Sequence, residues 1–96
     1  MTTAVHPGIL LEERLVERGI SEAQLADATR ISRALISAIL HQNRRITSGT
    51  ALLLATFFNE DPRFWVDAQA DHDLAVAAVT LKDRVAQVRP LAAVAA

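Results

Sequence analysis

Three times in the first half of this chain an isoleucine stands directly before a hydroxyl residue and a helix-forming run: Ile20-Ser21, Ile31-Ser32 and Ile46-Thr47. A Ser or Thr at a helix N-cap accepts a hydrogen bond from a first-turn backbone N–H that has no partner within the helix. The apolar residue before the cap staples onto the residue at the fourth helical position. For the first two sites that position holds Leu25 and Ile36, both apolar. Ser21 is followed three residues later by Gln24, which completes a capping box. Asp61-Pro62 marks a fourth start, with proline in a first turn where no N–H is needed. The chain is thus punctuated into short helices.

Five helices follow from these signals, over about Gly8–Arg18, 22–29, 33–41, 48–58 and Pro62–Val79, the first stopped by Gly19. A weaker helical stretch, Leu81–Val88, ends before Pro90, and residues 91–96 are expected to fray. Ala and Leu dominate while Gly and Pro are scarce, a mix that favours helices over a β-sandwich. Ninety-six residues suffice for one domain, placed at 6–90. Helical spacing predicts its core. Leu11 and Leu15 come from the first helix, Leu25, Ala26 and Thr29 from the second, and Ile36, Ile39 and Leu40 from the third. Ala51, Leu54, Ala55 and Phe58 come from the fourth, and Phe64, Trp65 and Ala68 from the start of the fifth.

The second and third helices are joined by only Arg30-Ile31-Ser32. So short a connection forces a large angle between them, the geometry of a helix-turn-helix. Ala26 is small where the two helices approach, and Ile31 is apolar where the turn folds over the core. Ile36 and Ile39 anchor one side of the third helix. Its other side, bearing Ser32, Arg33, Ala34, Ser37 and Ala38, is then presented outward for the major groove of duplex DNA. Arg33 is the one long polar side chain there, and bidentate Arg–guanine pairing is the commonest specific contact in that groove. Ala34 suits a thymine methyl, and Ser37 a phosphate or base. The following loop, His41-Gln42-Asn43-Arg44-Arg45, is polar and positive, which suits phosphate clamping by Asn43, Arg44 and Arg45. Gln24, at the start of the second helix, is a further DNA-facing candidate.

Charge alone does not announce a nucleic-acid partner, since the formal net charge is −1. Residues 1–45 carry six arginines against five acids, whereas residues 46–96 carry four basic and six acidic residues. A DNA-facing surface is therefore a local patch in the first half. The absence of cysteine excludes disulfides and thiolate metal sites. Asp71-His72-Asp73 is adjacent in sequence, and neighbouring helical side chains point about 100° apart, so it reads as a helix face and not a metal site. No Gly-rich phosphate loop or nucleophile elbow is present. No catalysis, cofactor, metal or small-molecule substrate is expected. No apolar run approaches a membrane span, and the N-terminus lacks a signal-peptide layout, so a cytoplasmic protein is expected.

The ordered set of these pieces resembles the HigA/VapI-type antitoxins, a branch of the Xre/Cro-like helix-turn-helix proteins. The likeness runs over about residues 6–90. It rests on His6-Pro7-Gly8 with Leu10-Leu11-Glu12-Glu13, then Gly19-Ile20-Ser21 through Gln24-Leu25-Ala26. It continues through Ile31-Ser32-Arg33 with Ile36-Ser37 and Ile39-Leu40, and through Arg44-Arg45-Ile46-Thr47 with Thr50-Ala51-Leu52 and Leu54-Ala55. It ends with Phe57-Phe58, Pro62, Phe64-Trp65, Gln69 and Asp73-Leu74. The resemblance implies an all-α, five-helix lambda-repressor-like domain with a C-terminal helical extension. It also implies a homodimer on a palindromic operator in its own promoter, and a small basic toxin, RelE-like, as protein partner. Dimer contacts are expected from the fifth helix and beyond, with Phe64, Trp65 and Leu74 as candidates.

The chain departs from that family at several points. Glu22 stands where Gln is usual, and an ionised carboxylate repels phosphate. Arg30 stands where Gly is usual, at a cost of about 1 kcal/mol if the backbone keeps a positive φ. His41-Gln42 replaces Asn-Gly, so a different end to the third helix is expected. Ile9 and Leu53 replace charged residues, and a patch joining them to Leu52 or Phe57 would suit a protein partner. Two alternatives to an autoregulating antitoxin follow: a stand-alone regulator, and a protein-interaction module that kept the fold and lost operator binding.

Overall fold

The structure is a computed structural model and describes residues 4–95; Ala96, the end of the segment expected to fray, lies outside the described residues. Seven helices run in order: α1 (Pro7–Arg18), α2 (Glu22–Thr29), α3 (Arg33–Leu40), α4 (Ser48–Phe58), α5 (Arg63–Thr80), α6 (Lys82–Gln87) and α7 (Leu91–Ala95). The described residues contain no strand. The fold is the expected all-helical helix-turn-helix domain with a helical extension.

Each hydroxyl cap forms where the sequence places it. Ser21 accepts from the Gln24 N–H at 3.1 Å while the Gln24 side chain accepts from the Ser21 N–H at 2.9 Å, the reciprocal capping box. Ser32 accepts from the Leu35 N–H at 3.1 Å, and Thr47 from the Thr50 N–H at 3.4 Å. A fourth cap was not anticipated. His6 accepts the Gly8 N–H on Nδ1 at 2.9 Å and starts α1.

The ends of α1 to α4 share one left-handed geometry, reached with only one glycine. Gly19, Arg30, Gln42 and Asn59 have φ of 64°, 64°, 64° and 55°. After α3, the Asn43 N–H donates to the Ala38 carbonyl at 2.8 Å and the Gln42 N–H to the Ile39 carbonyl at 2.9 Å. That pair of bonds is a Schellman motif. The altered ending expected from His41-Gln42 therefore does not occur: α3 closes at Leu40 as a glycine-terminated helix would, and Gln42 carries the strain. Arg30 likewise adopts the geometry that favours glycine.

Leu11, Leu25, Ile36, Ile39, Ala51, Leu54 and Trp65 are fully enclosed in one core, closed over by Ile31 and Ile46. Helix α1 crosses the end of α3 so closely that a Cβ on Gly8 would lie 2.0 Å from the Ile39 carbonyl oxygen. Here glycine is required by backbone approach and not by φ.

The inward face of α5 differs from the expected one. Phe64 is exposed and Ala68 only half-buried, whereas Trp65 and Gln69 are buried. The stripe runs Trp65, Gln69, His72, and its polar members mask the face in a reading based on apolar spacing. Beyond His72 packing thins out, and residues 78–94 are exposed throughout. Residues 91–95, expected to fray, form the single turn of α7.

Candidate nucleic-acid interface

The helix-turn-helix hinges on Thr29. Its hydroxyl donates to the Leu25 carbonyl at 2.7 Å and accepts the Ile31 N–H at 3.3 Å, while the Arg30 N–H bonds the Ala26 carbonyl at 2.9 Å. The Thr29 side chain is buried, so both bonds are shielded from water and the turn is held stiffly. Sequence spacing put Thr29 in the core but gave no hint of this hydrogen bonding.

From that hinge, α3 presents two distinct sides. Ile36, Ile39 and Leu40 are buried against α1 and α2, while Ser32, Arg33 and Ala34 are exposed and Ser37 and Ala38 half-exposed. The outward side is open to solvent in the single chain, most fully at its N-terminal end. Ser32 spends one acceptor site on its cap, and its O–H remains a donor. Gln24 uses its side-chain oxygen in the capping box, which leaves the NH₂ to donate. At the far end, His41 Nδ1 lies 2.8 Å from the Ser37 carbonyl oxygen, so the ring closes the last turn.

The six arginines of the first half are not equivalent. Arg14 is ion-paired with Glu60 at 2.6 Å, and its guanidinium lies 4.6–5.2 Å from the ring centres of Phe58, Phe64 and Trp65. Glu60 also accepts the Trp65 indole N–H at 2.9 Å. This cation is a structural pin between α1 and the α4–α5 junction. Arg18 lies over Phe58. Arg45, assigned to the phosphate clamp on sequence grounds, is ion-paired with Asp73 of α5 at 2.5 Å. Arg30, Arg33 and Arg44 are exposed, and among the described residues no ion pair involves them. The positive patch comprises the turn before α3, its first residue and the loop after it, with Asn43 exposed between.

Gln69 holds this loop in place and was not identified as a site residue. It is buried, accepts the Ile46 N–H at 2.7 Å and donates to Asp73 at 2.9 Å. The only sequence signal for it was its place in the family pattern. Three residues further along α5, His72 meets His6 edge-on at 5.0 Å between ring centres. Burial lowers the His6 pKa, and the neighbouring His72 adds to the effect against a smaller opposing pull from Asp73. A neutral ring is what the cap requires, since Nδ1 must accept.

Trp65 must be withdrawn from the candidate dimer contacts. It has no exposed surface in a single chain, so it cannot touch a second copy, and it serves as core. Phe64 and Leu74 remain exposed, at 40% and 69%. Leu52 and Leu53 are exposed on α4, and Ile9 marginally so. Among the described residues no three metal-ligating side chains gather, and no helix is long and apolar enough to cross a membrane.

Comparison with known proteins settles what this scaffold is. A helix-turn-helix family model matches residues 10–65. The chain belongs to the helix-turn-helix family. Within it, this helix-turn-helix protein stands with the HigA-type antitoxins. It is 41% identical over 75 residues to virulence-associated protein I of Dichelobacter nodosus, covering 77% of this chain and 69% of that protein. An addiction module antidote protein of the HigA family from Coxiella burnetii superposes with a TM-score of 0.87 at 35% identity, over 93% of this chain and 99% of that one. The Pseudomonas aeruginosa antitoxin HigA, solved with the higBA promoter, superposes with a TM-score of 0.85 at 32% identity, over 92% and 98%.

Proposed function

We propose that this protein is a cytoplasmic autorepressor and the antitoxin of a toxin–antitoxin pair, binding a palindromic operator as a homodimer. The observation that carries the reading is the open outward side of α3, with the exposed cations Arg30, Arg33 and Arg44, which make no ion pair among the described residues. Arg33, at the N-terminal end of α3, reads a guanine in the major groove. Ala34, Ser37 and Ala38 line the rest of the contact. Ser32, Gln24, Asn43 and Arg44 contact phosphates and set the register. The solved promoter complex of the P. aeruginosa relative supports this use of the fold. Two copies meet through α5 and the segment beyond it, with half-sites about 34 Å apart. A small basic RelE-like toxin is the protein partner.

A gel-shift with the protein's own promoter tests the DNA reading. Wild type binds at physiological salt. Arg33→Ala loses about 1–3 kcal/mol on the operator and much less on random duplex. Arg44→Ala weakens both duplexes equally and flattens the salt slope by about 0.9. Co-purification with the product of the neighbouring gene tests the toxin reading. Glu22 and the exposed Leu52 and Leu53 favour a second reading, a protein-interaction module without operator binding. Failure of wild type to shift any promoter fragment would favour that reading.

A further inference from the structure

Two arginines sit side by side in the loop between α3 and α4, and the structure treats them differently. Arg44 is exposed, and among the described residues no ion pair involves it. Arg45 reaches to α5 and pairs with Asp73. The carboxylate that takes it is held from behind. One Asp73 oxygen accepts from the Gln69 side-chain N–H at 2.9 Å, and the other faces Arg45. Gln69 is itself 4% exposed and fixed through its oxygen to the Ile46 backbone N–H at 2.7 Å. A chain of hydrogen bonds therefore runs from the backbone of buried Ile46, just ahead of α4, through α5 to the guanidinium. Asp73 is thereby oriented before Arg45 arrives. The pair itself is half in water, with side-chain exposures of 61% and 45%. It is a solvent-accessible competitor for the guanidinium and not a buried strut.

We propose that Asp73 sets the DNA affinity of this protein by holding Arg45 out of the phosphate clamp. The proposal deepens the DNA-binding reading and rests on it. Each phosphate that a protein neutralises adds about 0.9 to the slope of log affinity against log salt. A carboxylate placed to occupy one loop cation subtracts one such contact from sequence-independent binding. Arg33 and the base-reading side of α3 are left untouched.

The test uses the full chain on its own promoter and on random duplex across a salt series. Asp73→Asn keeps an oxygen for Gln69 and removes the charge facing Arg45. Its expected result is tighter binding to both duplexes, by about tenfold, with a slope steeper by about 0.9. Asp71→Asn makes the same charge change two residues away, at an exposed α5 position with no ion pair among the described residues. It is expected to leave the slope unchanged, which separates the pairing from long-range charge. Adding Arg45→Gln to Asp73→Asn returns the slope to that of wild type, and Arg45→Gln alone leaves the slope as it was. An unchanged slope or weaker binding in Asp73→Asn would overturn the proposal and make the pair a brace for the loop. So would an equal gain from Asp71→Asn. Thermal denaturation of each variant confirms the fold. Loss of all DNA binding by wild type would instead count against the reading on which the proposal rests.

Discussion

The stretch from His6 to Asp73 and the arm from Leu74 onward differ in how they treat apolar residues. In the first, the large aliphatic side chains of the helices divide between a closed core and an exposed minority, Ile9, Val16, Leu52, Leu53 and Val66. In the second, Leu74, Val76, Val79, Val85, Val88 and Leu91 are all exposed. The overall extents of 59 × 25 × 21 Å reflect the same division. Small helical domains cannot leave so many apolar groups in water without a use for them. The contrast teaches that the first region closes a core within a single chain while the arm does not, and the proposed dimer puts the second copy there. Substitutions should therefore act on folding in one region and on association in the other.

The largest effect on the complete region is expected from Gly8→Ala. A Cβ there meets the Ile39 carbonyl oxygen at 2.0 Å, and that atom is helix backbone and not the end of a flexible side chain. The loss is about 3 kcal/mol, the upper range for overpacking. It is read from the urea midpoint. The disturbance reaches the end of α3, so operator affinity falls with it.

Next is Arg30→Gly, expected to stabilise by about 1 kcal/mol because the residue already has φ of 64°. Gln42→Gly should do the same at the end of α3, where φ is also 64°. Neither change touches the core, so both should raise the melting temperature without altering the cooperativity of unfolding.

These positions also mark how far the sequence could be read. The caps at Ser21, Ser32 and Thr47 were legible because a cap is a local device, formed with residues three positions away. The turn was legible because a three-residue connection leaves few angles open. Gly8 was not, since its reason is a carbonyl thirty-one residues later. Gln69 and His72 were not, because a polar residue on an inward face breaks the apolar period that reveals the face. Phe64 took their place in the expected core, and it proves to be half in solvent. In the candidate interface, Arg33 and Arg44 were singled out by their place on α3 and its loop, and both are exposed. Nothing local distinguished Arg45 from Arg44, because the difference lies in a carboxylate on another helix.

A smaller effect comes from pH. The His6 pKa lies below its ordinary value of 6.5, through burial first and the nearby His72 second. The unfolded chain therefore binds a proton at a pH where the folded chain does not. The stability from this group is complete above about pH 6.5 and declines as pH falls toward the folded pKa. His72 and Asp73 are the neighbouring groups that act on it. Urea midpoints between pH 7.5 and pH 5.5 should fall for wild type. His6→Asn keeps an oxygen to accept the Gly8 N–H and cannot titrate, so its midpoints should stay flatter. Equal slopes in the two proteins would assign the decline to another group.

The smallest effect on folding, and the sharpest test of the contrast, belongs to the arm. Val85→Ser and Val88→Ser change side chains that are 60% and 68% exposed in the single chain. Measured at high dilution, each should alter stability by no more than about 0.5 kcal/mol, as for ordinary surface substitutions. If the arm joins two copies, the wild-type urea midpoint rises with protein concentration, because association stabilises the folded state by mass action. The double serine variant should lose that dependence and sediment as a monomer at concentrations where wild type is a dimer. Operator affinity should fall with it, since each half-site is then bound alone, while the affinity of one copy for one half-site stays the same. A variant that melts early even at high dilution would show that the arm belongs to the folded core. One that still dimerises would move the seam to the other exposed apolar residues, Leu52 and Leu53 of α4.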